Sequence, residues 1–535
     1  MAGVLAFPPL AVHAQTIREA PTPQTPESVS SKTPQAEIAE PASPPTDQRA
    51  ANPQATNPNP QATNAPAAPT PPTASETLLL ADVIASVYQA YPKIAEMRLA
   101  RTVANGQLVE AYGAYDTKLQ GYTLSEPTGF YRNYRHGLGL ARQTWWGGYL
   151  SAGYRIGRGD FQPWYKERET NEGGEFKLAA GIPLLQGRAI DAQRVAVFQA
   201  TLAEQAAEPQ IREAILSASR EASLSYWDWL AAGRVLQAQR ELLELAETRG
   251  EQFKVGVEAG KFPEVDLIFN DQMIAERRGK VLESEQKFRA TSFKLALYLR
   301  DAGGQPLVPA DAWRPIVFPV IEPLPASDFQ VDLAAAIGRR PEPQSLLYEQ
   351  RQIQLEQQLA RNNLLPQLDV IAEASQDVGF PASSSNDKGQ FELFVGVQGE
   401  VPLQRRKPRG KIQSTAGKMA QIDQKLRLLR DKIGTELLTA YNSLSLSAQS
   451  VEQAARGLEA ARETLSRYRF AFDAGSQKVD LLYINLLESK LNESEIKLVD
   501  AQRVWFTALA DMQAALGLDP LDQAVEISSL PPAKF

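Results

Sequence analysis

Residue types that carry out covalent or metal chemistry are scarce in this 535-residue chain. It has no Cys and two His, His13 and His136. That leaves no thiol nucleophile, thiolate zinc site, disulfide framework or His-based metal cluster. Without Cys there is also no N-terminal lipid-modified cysteine, so any membrane association must come from the polypeptide itself. Asp and Glu outnumber Lys and Arg, 63 against 56, for a net charge of −7. This balance argues against a surface that tracks nucleic-acid phosphates. The carboxylates are spread over helical stretches with no convergent pocket, so neither a catalytic residue nor a metal or cofactor is expected. Asp266 and Asp480 stand out because each lies just after a Gly-containing turn, near a helix start, where an acid stabilises the dipole by about 0.3–1 kcal/mol.

Two clusters suggest chemistry of another kind, at a lipid boundary. The segment 126–172 carries Trp145, Trp146, Tyr131, Tyr134, Tyr149, Tyr154, Trp164 and Tyr165 among Arg132, Arg135, Arg142, Arg155 and Arg158. Such a mixture forms an aromatic girdle at a membrane interface, with further strand structure extending above it; a receptor or surface-glycan site is the competing reading. Arg405-Arg406-Lys407-Pro408-Arg409 follows a strand exit and suits anionic head groups, or alternatively the lining of a bore. Trp227, Trp229 and Trp505 fall in helical patterns and read as packing residues.

The elements that hold these residues occur twice. Each copy begins with a helical stretch, followed by a strand, a loop and a second strand ending in Ile182-Pro183-Leu184 or Val401-Pro402-Leu403. A very long helical pattern comes next, then a turn, Ala259-Gly260-Lys261-Phe262-Pro263-Glu264-Val265-Asp266-Leu267 or Ala474-Gly475-Ser476-Gln477-Lys478-Val479-Asp480-Leu481, and a last helix. From Ile182 to Val265 is 83 residues and from Val401 to Val479 is 78. Strands are expected at Lys118–Ser125, Phe176–Ile182, Gln367–Ala374 and Phe391–Val401. The alternation is cleanest where Phe391, Leu393, Val395 and Val397 share one face and Glu392, Gln398 and Glu400 the other. Four strands cannot close a barrel, and a sheet with two open edges invites pairing with other copies.

The long helices, 188–255 and 409–472, span on the order of 100 Å each at 1.5 Å per residue. The shorter ones, 76–113 with 262–300 and 331–365 with 477–516, would stack end to end beside them. Leu482, Leu486, Leu487, Leu491 and Leu498 are spaced as in a coiled-coil seam, and Pro209 should kink or interrupt the first rod. No apolar run reaches the roughly 18 residues of a membrane-spanning helix.

Residues 1–14 read as the remnant of an export signal and 15–76 as a Pro-rich disordered linker in which NPQATN occurs twice. The remainder divides into repeat 1 (77–305), an inter-repeat connection (306–330), repeat 2 (331–520) and a tail (521–535).

The doubled unit, the Ile/Val-Pro-Leu exits and the two Gly turns followed by Val-Asp-Leu resemble the TolC-type family of outer-membrane efflux proteins over about 77–520. The resemblance implies a mainly α fold with a small β part. It implies a homotrimer whose four strands per chain make a 12-stranded outer-membrane barrel, standing on a coiled-coil tunnel in the periplasm. The function implied is a passive conduit of a tripartite efflux or type I secretion system, not an enzyme and without a cofactor. Its partners would be a periplasmic adaptor, an inner-membrane transporter and outer-membrane lipid, with no nucleic acid. A soluble periplasmic coiled-coil scaffold is the alternative.

Carried over by position, Gly260, Lys261, Phe262, Gly475, Ser476 and Gln477 are the adaptor-contact turns. Asp266, Asp480 and Tyr483 form the pore constriction, with Tyr483 where the family typically has a second Asp. Three copies of Asp480 would still make an acidic ring, beside an aromatic one. The family's latching Tyr and Arg correspond to Phe472 and Gln477, which cannot form the same bonds, and Lys478 or Lys261 is the candidate to compensate. Trp145, Trp146, Arg405, Arg406 and Lys407 are the membrane-interface set.

Overall fold

A computed structural model describes residues 77–161, 169–260, 263–321, 328–382, 389–474 and 481–518. The export remnant, the whole Pro-rich linker, the tail and the turn residues Lys261, Phe262, Gly475, Ser476, Gln477 and Asp480 lie outside them.

Helices α1 (Leu80–Ala90) and α2 (Pro92–Tyr112) are followed by strand β1 (Lys118–Glu126). Strands β2 (Asn133–Gln143), β3 (Tyr149–Gly159) and β4 (Glu175–Pro183) come next, then the rod α3 (Ala192–Glu258) and α4 (Glu264–Leu295). The second half contains α5 (Phe329–Arg339), α6 (Pro341–Asn362), β5 (Gln367–Asp377), β6 (Glu392–Glu400), the rod α7 (Arg406–Asp473) and α8 (Leu481–Ala515). The leading helix of each half is broken at the same point by X-Pro, at Tyr91-Pro92 and Arg340-Pro341. Proline forces the residue before it into extended backbone and then starts the next helix at its first position.

Both rods match the helical periodicity to within a few residues. Asp191 caps α3 by accepting from the Arg194 amide at 2.7 Å, an N-cap bond that satisfies one of the free amides at a helix start. Contrary to the expectation of an interruption, α3 continues through Pro209. The lost backbone hydrogen bond is local, and the long flanking turns carry the helix across it.

The main core lies where the two halves meet. Trp227, Trp229, Leu230, Phe288, Leu437, Leu444, Trp505 and Phe506 are buried together. Trp227 stacks on Phe506 at 4.2 Å and on Phe318 of the inter-repeat connection at 6.1 Å, so the Trp residues do pack between rods. Tyr226 is tied in as well: its hydroxyl donates to the Leu78 carbonyl at 3.0 Å, and burial, with the Asp82 charge nearby, pushes its ionisation well above the ordinary phenol range.

The leucine stripe of α8 is only partly buried, with Leu487, Leu491 and Leu498 half-buried. Leu486 is exposed, and the side buried within the chain carries Ile484, Asn485, Glu488, Asn492 and Val499. Polar residues occupy this seam because each finds a partner across it: Asn492 Nδ2 donates to the Ala238 carbonyl at 2.9 Å, and Asn485 and Glu488 accept from Arg249.

The expectation of four strands also fails. All six strands form one antiparallel sheet in the order β1-β2-β3-β4-β5-β6. Segment 126–172, read as a loop with strand structure above the membrane wall, instead inserts β2 and β3 sideways between β1 and β4. Its Gly-rich strands hide the alternation. In Gly137-Leu138-Gly139-Leu140-Ala141 and Gly153-Tyr154-Arg155-Ile156-Gly157 one face has almost no side chains, which weakens a period-2 signal read from hydrophobicity.

Candidate channel wall and tunnel tip

Register assigns every strand residue to one of two faces, because directly paired residues point the same way. Leu119 pairs with Leu140, Leu140 with Ala152, Ala152 with Leu178, Leu178 with Ala374 and Ala374 with Leu393. That face also carries Leu138, Leu150, Ala180, Ile182, Val370, Val395 and Val397, and its large side chains are open: Leu138 is 58% exposed, Leu178 59%, Leu393 63% and Val397 67%. The six strands thus present an apolar face nearest the helices, with Thr123, Ser125, His136 and Gln376 joining it toward the other end, and among the described residues its large apolar side chains stay open. Burying such an area in water-soluble form would need a second layer, whereas lipid needs none.

The opposite face is polar and ionic. Lys177 Nζ lies 2.7 Å from Glu373 Oε2, Arg135 pairs with Glu126 at 3.4 Å, and Arg155 pairs with Glu175. Gly137 and Gly181 leave room there for Tyr122 and Tyr149, whose rings would lie within 2.5 Å of an added Cβ. A largely apolar face backed by a largely polar one is the pattern of a strand wall between lipid and water.

The predicted interface residues lie at the helix end of this wall. Trp145 and Trp146 sit in the β2–β3 turn. Trp145 packs on Tyr115 at 5.1 Å and edge-on to Phe198 of α3 at 5.8 Å, and Trp146 is exposed. Arg142 Nε donates to the Tyr115 carbonyl at 3.1 Å. Arg405 begins α7 with φ 50°, a left-handed residue that turns the chain out of β6. Arg406 and Lys407 follow in the first turn of α7, so they share a level with the Trp pair though not a contact. Of the arginines in 126–172, Arg135 and Arg155 belong to the polar face, while Arg142 and Arg158 end up at the two rims.

At the far end of the rods Gly260 ends α3 with φ 72°, where a side chain would be strained. Asp266 is half-buried in the first turn of α4. Tyr483 is 42% exposed and packs on Tyr468 of α7 at 5.0 Å. Asp480 lies outside the described residues, so the acidic pair cannot be placed together.

Sequence reasoning missed a buried ionic cluster about 15 Å above the tip, counting helix rise from the end of α3. Arg249 of α3 forks onto Glu488 of α8 with bonds of 2.6 and 2.7 Å. Arg469 of α7 adds a third at 2.7 Å. Arg277 of α4 reaches the Leu242 carbonyl at 3.1 Å and Ser489 Oγ at 3.3 Å. Glu488 is 2% exposed. Burial would push its carboxyl up, but the hydrogen bonds from Arg249 and Arg469 outweigh that and hold it below the ordinary carboxylate range. Burial, opposed by Glu488 and reinforced by Arg249, lowers Arg277. All four tip helices therefore meet at or beside one carboxylate. The available signal was weak: Glu488 sits three residues after Asn485 in a stretch otherwise read as a leucine seam.

No family model matches this sequence, and no curated protein matches it. Solved structures do match in shape. The outer-membrane channel OprN superimposes with a TM-score of 0.60 at 12% identity, covering 82% of this chain and 89% of that one. The Campylobacter jejuni CmeC outer-membrane channel gives 0.58 at 14% identity over 84% and 88%. The open state of the Neisseria gonorrhoeae MtrE outer-membrane channel gives 0.58 at 12% over 82% and 89%. The chain has the fold of these channels. No described helix is long and apolar enough to cross a membrane.

Proposed function

We propose that the chain is the outer-membrane component of a tripartite efflux or type I secretion system. Three copies would form a passive conduit that is not an enzyme. The wall would sit in the outer membrane with the rods in the periplasm, and the helix turns would gate the tip. The observation that carries this reading is the two-faced sheet mounted on rods of 67 and 68 residues. Its exposed apolar face needs lipid, and its open edges need neighbouring copies. The same face counts against a soluble periplasmic scaffold.

In this reading Gly260, Lys261, Phe262, Gly475, Ser476 and Gln477 meet a periplasmic adaptor, an inner-membrane transporter engages at or near the tip, and Asp266, Asp480 and Tyr483 narrow the pore. Trp145, Trp146, Arg405, Arg406 and Lys407 mark the periplasmic membrane boundary. The Arg249–Glu488–Arg469 cluster takes over the closing role that Phe472 and Gln477 cannot fill. Single-channel recording in planar bilayers tests the function: discrete conductance steps are expected, blocked by multivalent cations from the tip side, with weaker block for Asp480→Ala. Detergent-extracted protein that gives no channels would contradict it.

A further inference from the structure

The β2–β3 hairpin changes the wall itself. Register runs unbroken across it, from Gln120 through Gly139 to Gly153 and on to Lys177, so all six strands span the same height. The two-faced pattern continues through it as well, with Leu138, Leu140 and Ala152 on the apolar face and Arg135, Ser151 and Arg155 on the polar one. Its foot is anchored, since Trp145 packs on Phe198 and Gly147 lies against the Gly187 carbonyl at the approach to α3. A hairpin that merely rose above the membrane would need neither an apolar face nor a seat at the helix end.

The outer edges match each other. β1 and β6 are both nine residues long, and neither has a second strand partner among the described residues. β1 runs away from the helices and β6 returns to them, so β6 of one copy beside β1 of the next continues the antiparallel alternation. Leu119 on β1 and Val395 and Val397 on β6 keep the apolar face continuous across that seam.

We infer that each copy contributes six strands to the wall, that the occupant of its β6 edge is the β1 edge of a second copy, and that the three copies of the conduit proposed above close an 18-stranded barrel. With strands about 4.8 Å apart and tilted about 40°, such a ring is about 36 Å across between backbones, against about 24 Å for twelve strands. The hairpin therefore roughly doubles the cross-section of the outer mouth while leaving the number of rods unchanged. Its polar face, with Arg155–Glu175 and Lys177–Glu373, lines a water-filled bore.

The absence of native Cys makes the test direct. In full-length protein in liposomes, Leu119→Cys combined with Val397→Cys or Gly399→Cys should oxidise to a cross-linked species of three chains. Separately, Ser151→Cys should react with a membrane-impermeant maleimide at least about tenfold faster than Ala152→Cys, the two lying on opposite faces. Cross-linked trimers in which both single variants label equally fast would place the hairpin outside the wall and overturn the 18-stranded ring while leaving the conduit intact. Failure of both cross-links, with monomeric protein in the membrane, would sink the conduit reading too.

Discussion

The sheet and the rods deal with apolar and charged residues in opposite ways. In the rods the large apolar side chains are inside, with Trp229 and Leu230 at 0% exposure, and most ion pairs are on the surface, such as Arg101 with Glu204 and Arg278 with Glu247. In the sheet the leucines and valines are outside, and charged pairs occupy the other face. Under the proposed function one chain solves two solvation problems: water around the helices, hydrocarbon against one side of the strands. The exception within the rods is the buried Glu488 cluster, near the Gly260 end of α3; under the proposed function that end holds closed and must still be able to open. Breaking a buried charge network is costly, and replacing an exposed pair is not.

The comparison yields a graded series of effects. Glu488→Ala strands Arg249 without its carboxylate and should cost the tip helices about 3–5 kcal/mol, seen as a large drop in the thermal midpoint by circular dichroism. Leu178→Arg puts a charge on the lipid face and should cost about 2–4 kcal/mol when the protein is folded into bilayers. The same change should cost much less in a binding assay confined to the helical part, and equal losses in both settings would remove the distinction between the two regions.

Acid should act through Glu488. Its folded-state pKa lies below the unfolded value, so the stability it contributes is present above the unfolded carboxylate range, near pH 4.3, and is lost as pH falls through the depressed value. Glu488→Gln should flatten the acid limb of a stability-versus-pH profile; an unchanged limb would assign acid sensitivity to other groups. Smallest of all, Leu99→Lys on the exposed side of α2 should change stability by no more than about 0.5 kcal/mol, a contrast with Leu178 despite similar exposure, 64% and 59%.

Much of this was readable in the residues. Long amphipathic periodicity and the repeated Gly turns locate α3, α4, α7 and α8, because helix spacing persists over many turns and noise averages out. β4 and β6 were readable because their apolar positions alternate with charged ones. β2 and β3 were not, since Gly137, Gly139, Gly153 and Gly157 carry no side chain to mark the inner face. The Glu488 cluster was hidden for a different reason: its members come from 249, 277, 469 and 488, and nothing local to any of them announces that four helices converge there. The coiled-coil spacing misled at Leu486, which is exposed, because spacing identifies a stripe but not which neighbour covers it.

The most direct measurement of the account is the protein mass of the detergent-extracted particle, by light scattering with the detergent contribution subtracted. Each chain supplies part of a wall with two open edges, so the account requires a closed assembly of three chains of 58.7 kDa each when full-length, insoluble without detergent or lipid. A stable monomer that stays in solution without detergent would contradict it.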